Sequence, residues 1–196
     1  MGGLAARCKM CRVHEVWATE PELTDGVLRL RRWTLDDLPC VAQAAADPAI
    51  PEMSTVPATF TAEAGRAFIE RQWARPAEGA GLSLAIEDAA AREAVGALSL
   101  LHRPGQQAGA VGIGYWIAPA ARRRGLATRA VRLAAAWALH EAGTARVAAL
   151  VEPANVASRR VVEAAGFERE GLLRAYLQFP TRRGDAIVYA LLPNPS

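Results

Sequence analysis

Residues 114–128 read GYWIAPAARRRGLAT, and the rest of the chain is organised around this stretch. Aromatic and β-branched residues from Val111 to Ile117 predict a strand, Pro119 ends it, and apolar residues recur at helical spacing from Leu126 onward. Gly125 has no side chain to block close approach to the first helical turn, where unsatisfied amides attract phosphate oxygens. The stretch therefore predicts a strand, a phosphate-binding turn carrying three arginines, and a helix.

The basic turn is only moderately specific, because arginines before a helix are also typical of a solvated surface. Two common nucleotide motifs are absent from the sequence. It has no G-x-x-x-x-G-K-[ST] run and no G-x-G-x-x-G run after a strand. The turn is therefore neither a Walker site nor a Rossmann site.

The arginine turn resembles the R/Q-x-x-G-x-G/A signature of the GNAT superfamily of acyl-coenzyme A N-acetyltransferases. Arg122, Gly125 and Ala127 fill its three defined positions. From about residue 25 to 192, further stretches resemble the RimJ/RimL branch and occur in its order: Leu28–Arg31, Asp36-Asp37, Gly114–Ile117, Asn155–Ser158, Glu163–Phe167 and Gly171–Arg174. The resemblance implies an α+β, single-domain GNAT-like fold, with a mixed central sheet, flanking helices and a parallel βαβ unit that carries the acyl-CoA site.

Length and composition indicate one soluble domain. The chain has 196 residues, of which 52% are hydrophobic, enough to bury a substantial core. We expect this domain to occupy residues 25–196, after a poorly ordered N-terminal extension at 1–24 that lacks a clear period. No apolar run approaches the roughly 20 residues of a membrane helix, and no signal-peptide pattern is present. We therefore expect a cytoplasmic protein without a membrane partner.

Net charge and cysteine content narrow the classes of ligand and metal site that the chain can have. A net charge of +3 and a pI near 9.0 suit an anionic small ligand better than nucleic acid, which would need a continuous basic face. Cys8, Cys11 and Cys40 are an odd number, which argues against a disulfide framework. Cys8 and Cys11 form a C-x-x-C-x-x-H pattern with His14, but no fourth ligand is evident, so no metal site is predicted.

The periodicity of the chain predicts alternating strands and helices. We expect strands over 27–31, 82–87, 94–101, 110–117, 146–151, 167–173 and 185–192, helices from about 37 to 46, 61 to 73, 126 to 143 and 155 to 166, and a proline-interrupted loop over 50–59. The strand–helix–strand unit from 110 to 151 should be parallel. Because ligands bind at the carboxyl ends of such strands, the arginine turn and the segment Glu152–Ser158 should share one edge.

Two polar residues stand out on the second segment. Asn155 is well suited to cap the following helix. Ser158 then falls at the third helical position, on the face that looks toward the sheet. The alternative is that the Ser158 hydroxyl bonds back to the capping residue and has a purely local role.

The GNAT resemblance assigns these residues to acetyl-CoA, with no metal. The turn would bind the pyrophosphate, backbone groups near Ile117 would bind the pantetheine arm and polarise the thioester, Asn155 would contact the arm, and Ser158 would protonate the departing thiolate after direct attack by the acceptor. The residues implied in cofactor binding are Trp116, Ile117, Arg122, Arg123, Arg124, Gly125, Leu126, Ala127, Thr128, Asn155 and Ser158.

The general base is the weakest point of the resemblance. Related sequences often carry glutamate two residues before the G-Y-W run, where this chain has Gly112. Glu152, His102 or a water molecule could serve instead, and we treat Glu152 together with Ser158 as the catalytic candidates.

Several functions stay open at this stage. The first is acetyl transfer to a primary amine, with a protein or peptide N-terminus as one acceptor and a polyamine, aminoglycoside or amino acid as the alternative. A non-catalytic acyl-CoA binding module is favoured by the missing glutamate. A nucleic-acid binder finds no support in aromatic interleaving or a fold motif. The sequence leaves a monomer and a homodimer equally open.

Overall fold

An eight-stranded mixed sheet runs through the computed structural model, which describes residues 20–102 and 109–193. The strands are β1 Leu23–Thr24, β2 Leu28–Arg31, β3 Gly81–Asp88, β4 Glu93–Leu101, β5 Ala110–Ile117, β6 Arg146–Val151, β7 Glu168–Gln178 and β8 Arg183–Leu191. Their order is β1-β2-β3-β4-β5-β6-β8-β7, and among these described strands only β5 and β6 are parallel. The predicted α+β fold with a parallel βαβ unit is confirmed.

Five helices flank the sheet in the described part of the chain. They are α1 Leu38–Ala45, α2 Ala49–Met53, α3 Ala62–Ala74, α4 Leu126–His140 and α5 Val156–Ala164, with 3₁₀ turns at Leu35–Asp37 and Pro119–Ala121. Successive side chains of the strands point to opposite faces of the sheet and pack into two separate cores. Ile113 of β5 packs in the core that contains α4, whereas Trp116 packs against the core formed with α1 and α3. The strand β5 is therefore covered on both faces.

Short polar residues begin two of the helices where the sequence predicts. The Thr34 amide donates to Asp37 Oδ2 at 2.8 Å, which fixes the turn leading into α1. Thr61 Oγ1 accepts from the Ala64 amide at 3.0 Å and caps α3. Both helix starts are confirmed.

The expected loop over 50–59 is wrong in its first part, because α2 occupies Ala49–Met53. Pro48 stands at the N-cap with φ −61°, and Asp47 Oδ1 accepts from the Ala49 amide at 2.9 Å. Pro51 falls in the first helical turn, where its missing N–H has no intrahelical partner to lose. Prolines that read as interruptions thus start a short helix.

At the N-terminal side, β1 adds Leu23–Thr24 to the sheet by pairing with β2, within the stretch predicted as an extension. Cys8, Cys11 and His14 lie outside the described residues.

Within residues 20–102 and 109–193, none of the helices is long and apolar enough to cross a membrane.

Candidate active site

The parallel strands β5 and β6 part from each other near their middle. Their ladder joins Ala110 to Arg146, Val111 to Val147 and Gly112 to Ala148, and the described residues continue it no further. Beyond this point β5 stays paired with β4 as far as Ile117, while β6 stays paired with β8 as far as Val151. A wedge therefore opens between the carboxyl ends of β5 and β6, where the backbone of β5 has no strand beside it.

The register decides which backbone groups face this wedge. The Ala118 amide donates to the Val95 carbonyl at 2.8 Å, and the Trp116 carbonyl is turned toward Gly96 of β4. The N–H and C=O of one strand residue point to the same side, and those of the next residue point to the opposite side. Because the Trp116 carbonyl and the Ala118 amide point to β4, the backbone groups of Tyr115 and Ile117 point into the wedge. Because the Trp116 carbonyl is turned to β4, the Trp116 backbone is not one of the groups that face the wedge. The Trp116 ring packs 6.2 Å from that of Trp33.

The arginine turn follows β5 at the same edge. Gly125 adopts φ +75°, a left-handed conformation at the N-cap of α4, which costs glycine nothing. The first described bond of α4 joins the Arg129 amide to the Gly125 carbonyl at 3.2 Å. The amides of Leu126, Ala127 and Thr128 thus precede the bonded part of the helix and can donate to an anion.

Two of the three arginines are held by carboxylates. Arg122 donates to Asp47 Oδ2 at 2.5 Å and to the Ile117 carbonyl at 3.0 Å. Arg124 donates to Asp88 Oδ2 at 2.6 Å, and this bond holds the pKa of Asp88 below its ordinary value. The intervening Arg123 is exposed, with φ +63°. The two carboxylates therefore anchor the arginine turn on both sides of Arg123.

Ser158 lies at the start of α5, where Asn155 caps the helix by accepting from the Ser158 amide at 3.0 Å. The hydroxyl turns inward, as predicted, and its Oγ lies 2.7 Å from the phenol oxygen of Tyr115. It does not bond back to the capping residue, which was the alternative. Ser158 therefore contacts β5 at the edge that carries the arginine turn.

The side chain of Tyr115 lies in the candidate site, and the sequence analysis does not predict a role for it. The G-Y-W run indicates a strand with free backbone groups, but nothing in the run indicates a partner for the phenol. Alternation along β5 places Tyr115 on the same face as Ile113 and Ile117, and that face is covered by α4 and α5. Burial raises the pKa of Tyr115 to about 12, so the phenol stays protonated at any working pH.

Glu152 follows β6 at the same edge and is paired with Arg182. The guanidinium of Arg182 donates to Glu152 Oε1 at 2.6 Å and Oε2 at 3.2 Å, and reaches Glu52 at 3.5 Å. It also stacks 3.7 Å above the centroid of the buried Phe179 ring. No local pattern marks Arg182 as a partner of Glu152, because thirty residues separate them in sequence.

The structure does not bring His102 to this edge. His102 follows Leu101, which pairs with Gly112 near the start of β5. At about 3.3 Å per residue, the end of the sheet that contains His102 is more than about 10 Å from Tyr115 along the strand direction. Of the two side chains considered as bases, Glu152 is the one beside the wedge.

Comparison with known proteins places this geometry in a family. The model of the acetyltransferase (GNAT) domain matches residues 28–168. YjcK of Bacillus subtilis (strain 168), which carries an N-acetyltransferase name, is 41% identical over 83 residues, 42% of this chain and 45% of that protein. The chain thus spans less than half the length of this curated relative.

Solved structures share the fold. Mycobacterium smegmatis RimJ, in complex with CoA-disulfide, aligns with a TM-score of 0.77 and 24% identity over 89% of this chain and 88% of that chain. A GNAT-family acetyltransferase from Bacillus anthracis aligns with a TM-score of 0.75 and 21% identity over 88% of this chain and 98% of that chain.

Proposed function

The chain belongs to the GNAT acetyltransferase family, and from this premise we propose that it transfers the acetyl group of acetyl-CoA to a primary amine. The observation that carries the proposal is the wedge between β5 and β6, flanked by the turn at Gly125 and by the Ser158 hydroxyl. A phosphate-binding turn, free strand backbone and a proton donor meet at one edge. Those are the three parts that an acyl-CoA thioester requires.

Each part of acetyl-CoA has a partner in this arrangement. The amides of Leu126 to Thr128 and the exposed Arg123 suit the pyrophosphate. Backbone groups of Tyr115 suit the amides of the pantetheine arm, with Asn155 as a further contact, since the Ile117 carbonyl already accepts from Arg122. The Ile117 amide, facing the wedge, is placed to donate to the oxyanion of the tetrahedral intermediate.

Direct attack by the amine agrees with the state of the described cysteine. Cys40 is 3% exposed, and burial together with the charge of Asp37 raises its thiol pKa to about 12. A buried, protonated thiol is not a nucleophile. We therefore assign no acyl-enzyme step, and Ser158 gives its proton to the sulfur that leaves when the intermediate collapses.

We assign Glu152 the role of a weak proton acceptor, because Arg182 already occupies both of its oxygens. Glu152→Gln should then lower kcat/KM by less than about tenfold, well short of the usual contribution of a well-placed base. The measurement is kcat/KM for acetyl transfer to a peptide amine.

The matched control is Glu170→Gln, which breaks a similar carboxylate–arginine pair with Arg146 at the opposite end of β6. Glu170→Gln should leave kcat/KM unchanged. A loss above about a hundredfold in Glu152→Gln alone would make Glu152 the principal base.

We propose a terminal α-amine as the preferred acceptor. Its pKa of about 7.7 to 8.0 leaves an appreciable neutral fraction near pH 7.5, unlike a lysine side chain at about 10.4. Such an acceptor needs little help from a base, which agrees with glycine at position 112 and with the engagement of Glu152 by Arg182. The resemblance of the Asn155–Ser158 run to the RimJ/RimL branch points the same way.

Acetylation of a peptide N-terminus should therefore be faster than acetylation of lysine. The peptide carries both amines, and mass spectrometry locates the acetyl group while thiol release reports turnover. The rate should rise with pH through the titration of the α-amine and then level off. An Nα-blocked version of the same peptide, which keeps its lysine, is the matched control.

Other outcomes separate the competing functions. If only a polyamine, aminoglycoside or amino acid is acetylated, the proposed acceptor is wrong and the proposed transferase activity stands. Tight binding of acetyl-CoA without thiol release by any amine would favour the non-catalytic binding module.

A further inference from the structure

The Tyr115–Ser158 contact has more acceptors than protons. The Tyr115 phenol lies 2.7 Å from Ser158 Oγ and 3.1 Å from the Ser158 carbonyl oxygen. Each hydroxyl has one hydrogen to donate, and either oxygen of the 2.7 Å pair can be the donor. The pair therefore has two arrangements with the same heavy atoms in place.

In the first arrangement, Ser158 donates to the Tyr115 oxygen and Tyr115 donates to the Ser158 carbonyl. Both protons are then used inside the protein, and the Ser158 proton points away from the wedge. In the second arrangement, Tyr115 donates to Ser158 Oγ, and the Ser158 proton is released toward an outside acceptor. Only the second arrangement offers a proton to a leaving sulfur.

We propose that Tyr115 is a positioning residue for acetyl transfer: its phenol decides where the Ser158 proton points and stabilises the charge that forms on Ser158 Oγ. This inference rests on the proposed function. A full negative charge on sulfur is a stronger acceptor than a neutral carbonyl, so formation of the thiolate favours the second arrangement.

The proton and charge balance is simple. As the carbon–sulfur bond of the tetrahedral intermediate breaks, its electron pair stays on sulfur and the Ser158 proton passes to it. The charge left on Ser158 Oγ is stabilised by the Tyr115 phenol, and the proton that the attacking nitrogen loses on becoming the amide reaches Ser158 through water, so that no net charge is left. Because burial keeps the Tyr115 phenol protonated before the reaction, it is a donor to Ser158 Oγ, and its proton can move onto the more basic alkoxide until the proton from nitrogen arrives.

The fold supplies a matched control for removing the phenol oxygen. Tyr189 of β8 is fully buried and donates to Glu163 Oε1 at 2.7 Å. Tyr115 and Tyr189 thus reach the same helix α5, the first at its start and the second near its end. Tyr189→Phe removes a phenol bond to α5 without touching Ser158.

The experiment measures kcat, KM and acetyl-CoA affinity in Tyr115→Phe, Ser158→Ala, the double variant and Tyr189→Phe. Tyr115→Phe should lower kcat about tenfold, the range for a hydrogen bond to a charged group, with affinity nearly unchanged. In the Ser158→Ala background the same change should cost nothing further, because Tyr115 acts through Ser158. Tyr189→Phe should leave kcat unchanged.

Two results would overturn the role of Tyr115. One is a kcat of Tyr115→Phe within about twofold of the unaltered protein while that protein acetylates amines normally. The other is an equal loss in both backgrounds, or in Tyr189→Phe, which would mean that the phenol only supports α5. If the unaltered protein releases no thiol with any amine, the proposed transferase function itself fails, and this role falls with it.

Discussion

Ser158→Ala should lower the turnover number for acetyl transfer by about one to three orders of magnitude, which overlaps the contribution of about 10² to 10⁴ that a positioned acid usually makes. The serine hydroxyl is held inward by Tyr115 at 2.7 Å, beside the wedge between β5 and β6. In the proposed mechanism, removing this hydroxyl leaves the departing thiolate without a proton donor. Affinity for acetyl-CoA should change little, since the loss falls in the reaction step rather than in binding.

Steady-state kinetics and calorimetry on the same preparations check this prediction. Ser99→Ala is the matched control, because Ser99 also makes a hydroxyl pair, 3.1 Å from Ser83, in the β3–β4 ladder. That control should keep full turnover. If Ser158→Ala stays within about twofold of the unaltered protein, Ser158 is a local helix residue and another donor carries the proton.

Gly125→Val should weaken acetyl-CoA binding by about one to two orders of magnitude, equivalent to one or two hydrogen bonds to a charged group. A Cβ at Gly125 would meet no protein atom within 4 Å, so it would project into open space at the start of α4, where we propose that the phosphates bind. The φ of +75° also strains a β-branched residue. Calorimetric titration with acetyl-CoA measures the change.

Gly143→Val separates the two effects. Gly143 lies just beyond the other end of α4, has φ +67°, and likewise has open space around its Cβ position. Both variants should lose similar thermal stability, whereas only Gly125→Val should lose affinity. Unchanged affinity in Gly125→Val would remove the phosphate-binding role from this turn, although membership of the family would stand.

Much of the fold follows from local pattern. The alternation of β2 and the capping residues Thr34 and Thr61 each act over a few residues, and the structure agrees with them. The short helix α2 was missed because Pro48 and Pro51 favour both a loop and a first helical turn. Ile50 of α2 packs in a core made of residues from other parts of the chain, so the local pattern by itself does not decide between a loop and a helix.

The sequence by itself determined the family resemblance, the order of the strands and helices other than β1 and α2, and the sheet edge that carries both the Gly125 turn and Ser158. These follow from motifs and from the geometry of a parallel strand–helix–strand unit. Only the tertiary structure decided the partners: Tyr115 for Ser158, Arg182 for Glu152, and Asp47 and Asp88 for the arginines of the turn. Such partners are separated by 30 to 75 residues in sequence, and strand register and helix packing bring them together.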